Sequence, residues 1–229
     1  MIGLGTSINI GLIIAGSLCG LAFGRFMKEN LKQTLMMVSG IIVLLLGMSG
    51  AMQYMLVIVN GTLQTTGPML MIISMVAGAV IGELIDLNRW ITVFGDWVKA
   101  KTGNTGDPQF THAFITASLT FTVGAMGVLG SIQDGLTGNY QTLLLKGILD
   151  GIIVMVMVSS MGKGALFSFI PVGITQWIIT AMAHIAAPLM TPSAIDNLSY
   201  VGSILIFCVG IDLIWPGKIR IANLLPAIF

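Results

Sequence analysis

Apolar residues come in long runs along this chain, broken by short polar or glycine-rich stretches. A bilayer core about 30 Å thick takes about 20 residues at 1.5 Å each. Stretches near 3–24, 35–57, 67–87, 110–130, 143–162, 165–190 and 198–215 reach or approach that length. Lipid offers no water to satisfy open backbone groups, so these runs predict an all-α fold: a single polytopic membrane helix bundle, 1–229, of about seven transmembrane helices. The N-terminal run has neither a basic n-region nor a small-residue cleavage site, and is expected to stay as the first span.

The polar break at 88–109 has a different period. Trp90, Val93, Phe94, Trp97 and Val98 recur at helical spacing, with Arg89, Thr92, Asp96 and Lys99 opposite them. A helix over 89–101 follows, lying in the membrane interface as an anchor or packed beneath the bundle. TGNTGDPQ after it is a turn cluster. Gly16, Gly20 and Gly24, like Gly78 and Gly82, fall four apart on one helical face, which suits close packing within the bundle or between copies. IIAGSLCGLAFG resembles SMVAGAVIGELI, and LGMSGAM resembles FTVGAMG, in the same order. Duplicated hairpins would produce this, and so would the general likeness of Gly-rich apolar helices.

Composition agrees: 55% of residues are hydrophobic, 8% are charged and the mean hydropathy is +0.98, outside the range of soluble domains. The net charge of +1 without basic clusters excludes nucleic acid as a partner, leaving membrane lipids and a small solute. Cys19 and Cys208 lie in apolar runs as packing residues. There is no phosphate-binding loop, GxSxG, HExxH or Cys/His metal spacing, so no enzyme activity, cofactor or metal is expected.

The basic residues orient the bundle. Arg25, Lys28 and Lys32 follow the first span, Arg89, Lys99 and Lys101 the third, Lys163 the fifth, and Lys218 and Arg220 the seventh. By the positive-inside rule, the N-terminus is outside and the C-terminus cytoplasmic, as expected in a bacterial inner membrane. The exception is Lys146, one helical turn before Asp150 in LLLKGILDGIIVMVMVSSMG.

An ionisable side chain at membrane depth costs about 2.5–3.5 kcal/mol on insertion scales. From a span start near Leu143, Lys146 lies about 5 Å and Asp150 about 11 Å deep. Lysine can snorkel outward, while aspartate reaches water less easily. The pair reads either as a fixed ion pair or as an ion or proton site. Asp134, in a Gly-rich segment with Gly124, Gly127, Gly130, Gly135, Gly138 and Asn139, belongs either to a turn or to a loop at 131–142 that re-enters the membrane. Pro171 interrupts the sixth span, which ends at Pro188 and carries Gln176 and His184; His184 is either a proton relay or an interfacial packing residue. Asn9 is polar at moderate depth. Asp212 is expected to pair with Lys218 and Arg220, and Glu83 and Asp86 to close the third span near Arg89.

VGAMGVLGSIQDGLTGNYQTLLLKGILDG, GKGALFSFIPVGITQ and the closing KIRIANLLPAIF resemble the bacterial membrane proteins grouped as domain of unknown function 554, over essentially the whole chain. That family usually has Phe-Cys where this chain has Phe121-Thr122, so a cysteine there is not required. The resemblance implies a small integral inner-membrane protein associated with sodium channel or pump activity and with biofilm formation, and it brings no binding residues with it.

The expectation is a transporter or channel for a small ion, a monovalent cation, with Asp150 as the charged ligand or proton acceptor and Lys146 as counter-charge. Gln176, Asn9 and the Asp134 segment supply further oxygens, and His184 is a candidate for proton transfer. The alternative is a non-transporting scaffold that binds partner proteins and keeps Lys146 and Asp150 as a structural pair. The glycine faces and the narrow single bundle favour a homo-oligomer, with the apolar C-terminal tail docked on its own bundle or on a neighbour.

Overall fold

A computed structural model describes residues 2–228 apart from Arg25, Val123, Gly124, Ala187, Leu189 and Met190. The apolar runs form α1 (Leu4–Gly24), α2 (Glu29–Met55), α3 (Pro68–Ile85), α4 (Leu87–Lys101), α5 (Phe110–Thr122), α6 (Ala125–Thr137), α7 (Gln141–Met161), α8 (Phe169–Ala181), α9 (Ala183–Ala186) and α10 (Pro192–Ile214). Tighter 3-10 turns occupy Lys163–Ser168 and Ile221–Ile228. Six helical segments are long and apolar enough to cross a membrane, and the pair α5 and α6 makes a seventh if it crosses as one bent span. The chain is therefore a helical membrane bundle.

Three boundaries differ from the sequence reading. α2 starts at Glu29, well before 35. It is followed by a hairpin, β1 (Leu56–Val59) paired antiparallel with β2 (Thr62–Thr65), which the apolar count had partly absorbed into the second span. Asn60 and Gly61 hold φ at 52° and 77°, the paired left-handed geometry that makes Asn-Gly a hairpin turn. The run 110–130 is not one straight helix: α5 and α6 meet at 60°, and Gly124 of the Gly-rich series lies outside the described residues.

Pro171 does not break its span. It sits in the first turn of α8, where backbone N–H groups lack helical partners and a missing donor costs little. The change from 3-10 to α-helix at Ser168–Phe169 precedes it.

Burial runs inside out relative to a soluble protein. Leu45, Leu46, Ile72, Ile73, Val76, Leu84, Leu149 and Ile152 stand exposed, while Thr6, Asn9, Ser131, Asp134, Lys146, Asp150, Gln176 and Thr180 are buried. A continuous apolar exterior of this kind suits lipid as the solvent. With no hydrophobic drive between helices in lipid, close backbone approach has to hold them together. Gly16 and Gly20 of α1 lie on the backbone of Gly151 and Met155 of α7, and the Ser159 hydroxyl donates to the Gly20 carbonyl at 3.1 Å. Gly47 of α2 packs on Phe207 of α10 in the same way.

The second glycine face serves the C-terminal tail. Ile221–Ile228 folds back along α3, placing Ala227 on Gly78 and Asn223 on Gly82, and the Asn223 side chain accepts the Asn88 N–H at 2.6 Å. Both glycine faces are thus filled within the chain and leave no argument for dimerisation through them. α4 forms as expected, with Trp90, Val93 and Trp97 exposed, but Val98, expected on their face, is buried, and Gly95 is buried against α5.

Candidate functional site

The polar residues of four helices converge. α1 carries Thr6, Asn9 and Ser17 on one buried stripe at helical spacing. α7 brings Lys146 and Asp150, both about nine-tenths buried, α6 brings Ser131 and Asp134, and α8 brings Gln176 and Thr180. The Lys146 ammonium donates directly to Asp150 Oδ2. Snorkelling is therefore not what Lys146 does: its stem turns inward along α7 and its charge is spent on the carboxylate one turn below.

Glycines make room for this contact. A Cβ on Gly147 would come within 3.2 Å of Asn9 Oδ1, so its absence lets α1 close on α7 and sets the Asn9 amide beside the Asp150 carboxylate. Neither polar atom of that amide completes a hydrogen bond of normal geometry. Gly127 of α6 fills the same role opposite: a Cβ there would be 3.4 Å from Lys146 Cε and 3.8 Å from Gln176 Nε2. Gln176 is 3% exposed and its Oε1 has no partner. A cavity of about 10 Å³, room for about one water, lies among Thr122, Gly127, Val172 and Gln176.

Asp134 is not in a turn. It lies in α6, wholly buried, and its Oδ2 accepts the Gly5 N–H at 3.0 Å while Oδ1 has no partner. The helix breaks only at 138–140, so the segment 131–142 is mostly helix. Beside Asp134, the hydroxyls of Thr6 and Thr180 meet at 3.4 Å. His184 does not join the cluster: it is exposed on the short α9.

The expected partners of Asp212 were wrong. Asp212 is buried, its Oδ1 accepts the Gly217 N–H at 2.8 Å, and its Oδ2 stands 3.4 Å from His112 Nε2. Arg220 pairs instead with Glu83 at 3.0 Å. Nothing in the spacing of the sequence joins residue 112 to residue 212. The stripe Thr6–Asn9–Ser17, by contrast, was legible as polar positions on one face of an apolar helix.

Among the described residues, no cluster of His, Cys, Asp and Glu suits a metal ion. Comparison with known proteins matches the chain over residues 4–229 to the family described as "Protein of unknown function (DUF554)". It is 28% identical over 225 residues to a Bacillus subtilis protein named "Uncharacterized membrane protein YdfK", covering 98% of this chain and 92% of that one. It is 24% identical over 233 residues to the Escherichia coli "Uncharacterized protein YqgA", covering 98% and 93%. No solved structure matches it.

Proposed function

The chain belongs to the DUF554 family of membrane proteins, and from that premise and the buried cluster we propose that it moves a small monovalent cation across the bacterial cytoplasmic membrane. One observation carries the reading: buried oxygens without partners, Asn9 Oδ1 and Gln176 Oε1, flank the intramembrane Lys146–Asp150 pair. Ionisable groups at this depth are costly, and removing one partner of a buried pair costs more than replacing both. A cation site accounts for the cost.

In this reading Lys146 occupies the cation position on Asp150 when the site is empty. An arriving cation takes the Asp150 carboxylate and the Asn9 carbonyl, and Lys146 swings past Gly127 to the free Gln176 Oε1. The bent pair α5 and α6 supports the reading further, because transporters place sites where membrane helices are broken. The orientation follows the positive-inside count, with the C-terminus cytoplasmic. Copies of the chain would associate through faces other than the two glycine stripes.

The test is ion flux in proteoliposomes under a Na⁺ or K⁺ gradient. Asp150→Asn is expected to abolish flux and Gln176→Leu to slow it, with both proteins still inserted and folded. Wild-type flux and selectivity in Asp150→Asn would leave the structural pair, and a scaffold function, as the better account.

A further inference from the structure

A larger cavity, lined by polar and apolar residues alike, shares none of its walls with the ion pair. It holds about 380 Å³ at the end of α10, on the side the positive-inside count assigns to the cytoplasm, and its walls include His112, Thr116, Leu119, Asp212, Gly217 and Arg220. Such a volume holds several waters. Arg220 is held by Glu83 and the Asp212 carboxylate lies in the wall, so a solute entering here meets an acceptor carboxylate beside an imidazole.

The two cavities share one stripe of α5. His112, Thr116 and Leu119 line the larger, and Thr122, spaced three residues beyond Leu119, lines the small cavity beside Gly127 and Gln176. That spacing is one helical turn, about 4.5 Å of rise. Thr122 Oγ1 is buried and has no partner, on the far side of that turn. Leu119, only 5% exposed, lines the larger cavity one turn before Thr122.

We propose that the Asp212 cavity is the inner vestibule through which a small hydrated cation reaches the Lys146–Asp150 site, and that Leu119 is the plug between them. The direction of use rests on the transport reading above; the water path and the plug do not. Asp212 draws the cation in, Thr116 and Thr122 offer hydroxyls on either side of the plug, and displacement of Leu119 joins the spaces.

The experiment uses the full-length protein with Cys19 and Cys208 replaced by serine, in inverted vesicles and in spheroplasts, probed with a membrane-impermeant cationic thiol reagent. Thr116→Cys is expected to react from the cytoplasmic face about tenfold or more faster than Ala117→Cys, which is fully buried in the packed core. Thr122→Cys should react slowly, and speed up about tenfold when Leu119→Ala is added. Equal rates for Thr116→Cys and Ala117→Cys, or labelling of Thr116→Cys from the outer face only, overturns the vestibule. A Thr122→Cys rate indifferent to Leu119→Ala overturns the plug. Labelling is read without any flux, so loss of flux in Asp150→Asn bears on the transport reading alone.

Discussion

The backbone N–H of Gly5 donates to Oδ2 of Asp134, joining the first turn of α1 to the third turn of α6 at 3.0 Å. The first four N–H groups of a helix have no partner inside it, and the positive end of the helix dipole favours a carboxylate. Asp134 thus caps α1 from a different helix. Asp134→Ala is expected to lower stability by about 0.5–2 kcal/mol, the range for lost caps. Asp134→Asn keeps an acceptor and gives up only the charge, about 0.3–1 kcal/mol. Equilibrium unfolding in mixed micelles measures both, and an Asp134→Ala protein as stable as wild type would remove the capping role.

Substitutions at the Lys146–Asp150 contact separate stability from the proposed transport. Lys146→Met or Asp150→Leu alone leaves one charge buried without its partner, at a cost of about 3–5 kcal/mol. The double variant removes both charges and is expected to regain most of that stability. Flux should stay lost in all three, because the carboxylate or its counter-charge is gone. A double variant that is stable and also transports at the wild-type rate would make the pair a packing feature.

How much of this was legible in the sequence depended on range. Runs of apolar residues specified the spans because length and hydropathy are local properties, and the helical period of Trp90, Val93 and Trp97 specified α4 for the same reason. The Asn60-Gly61 hairpin was equally local, with β-branched residues on both sides, but it was hidden by the hydrophobicity that also marks a span. Asp134 was misplaced because its neighbouring glycines resemble a turn; in the fold Gly130 and Gly135 instead admit Leu143 and Ala183. The His112–Asp212 and Gly5–Asp134 contacts depend on which helices become neighbours, and no periodicity within one segment encodes that.

Gly82 lies on the Asn223 backbone and Gly16 on that of Gly151, so a methyl group at either would overlap a carbonyl. Overpacking of this kind costs about 1–3 kcal/mol. Gly11, on the exposed face of α1, has nothing near the position a Cβ would take. Gly11→Ala is therefore expected to be neutral or to stabilise by up to about 1 kcal/mol through helix propensity, while Gly16→Ala and Gly82→Ala destabilise. Thermal unfolding in detergent ranks the three, and an equal response would mean that the glycine stripes do not set the approach of α1 to α7 or of α3 to the tail.

The exposed face of α4 is the place to test whether that helix touches lipid. Trp90 and Trp97 are 68% and 55% exposed, while Val98, at the edge of the same face, is buried with Phe110 and Phe114. An amphipathic helix in the interface buries such a face at the level of the headgroups and upper acyl chains. Variants retaining only Trp90 or only Trp97, the other tryptophans changed to phenylalanine, are expected to be quenched strongly by lipids brominated near the headgroup. Lipids brominated near the chain end should quench them weakly. A helix packed in water beneath the bundle would be quenched by neither lipid but by iodide in solution. Because Lys99 and Lys101 close the same helix, anionic lipid should strengthen the shallow quenching at low ionic strength and lose that advantage as salt screens the attraction.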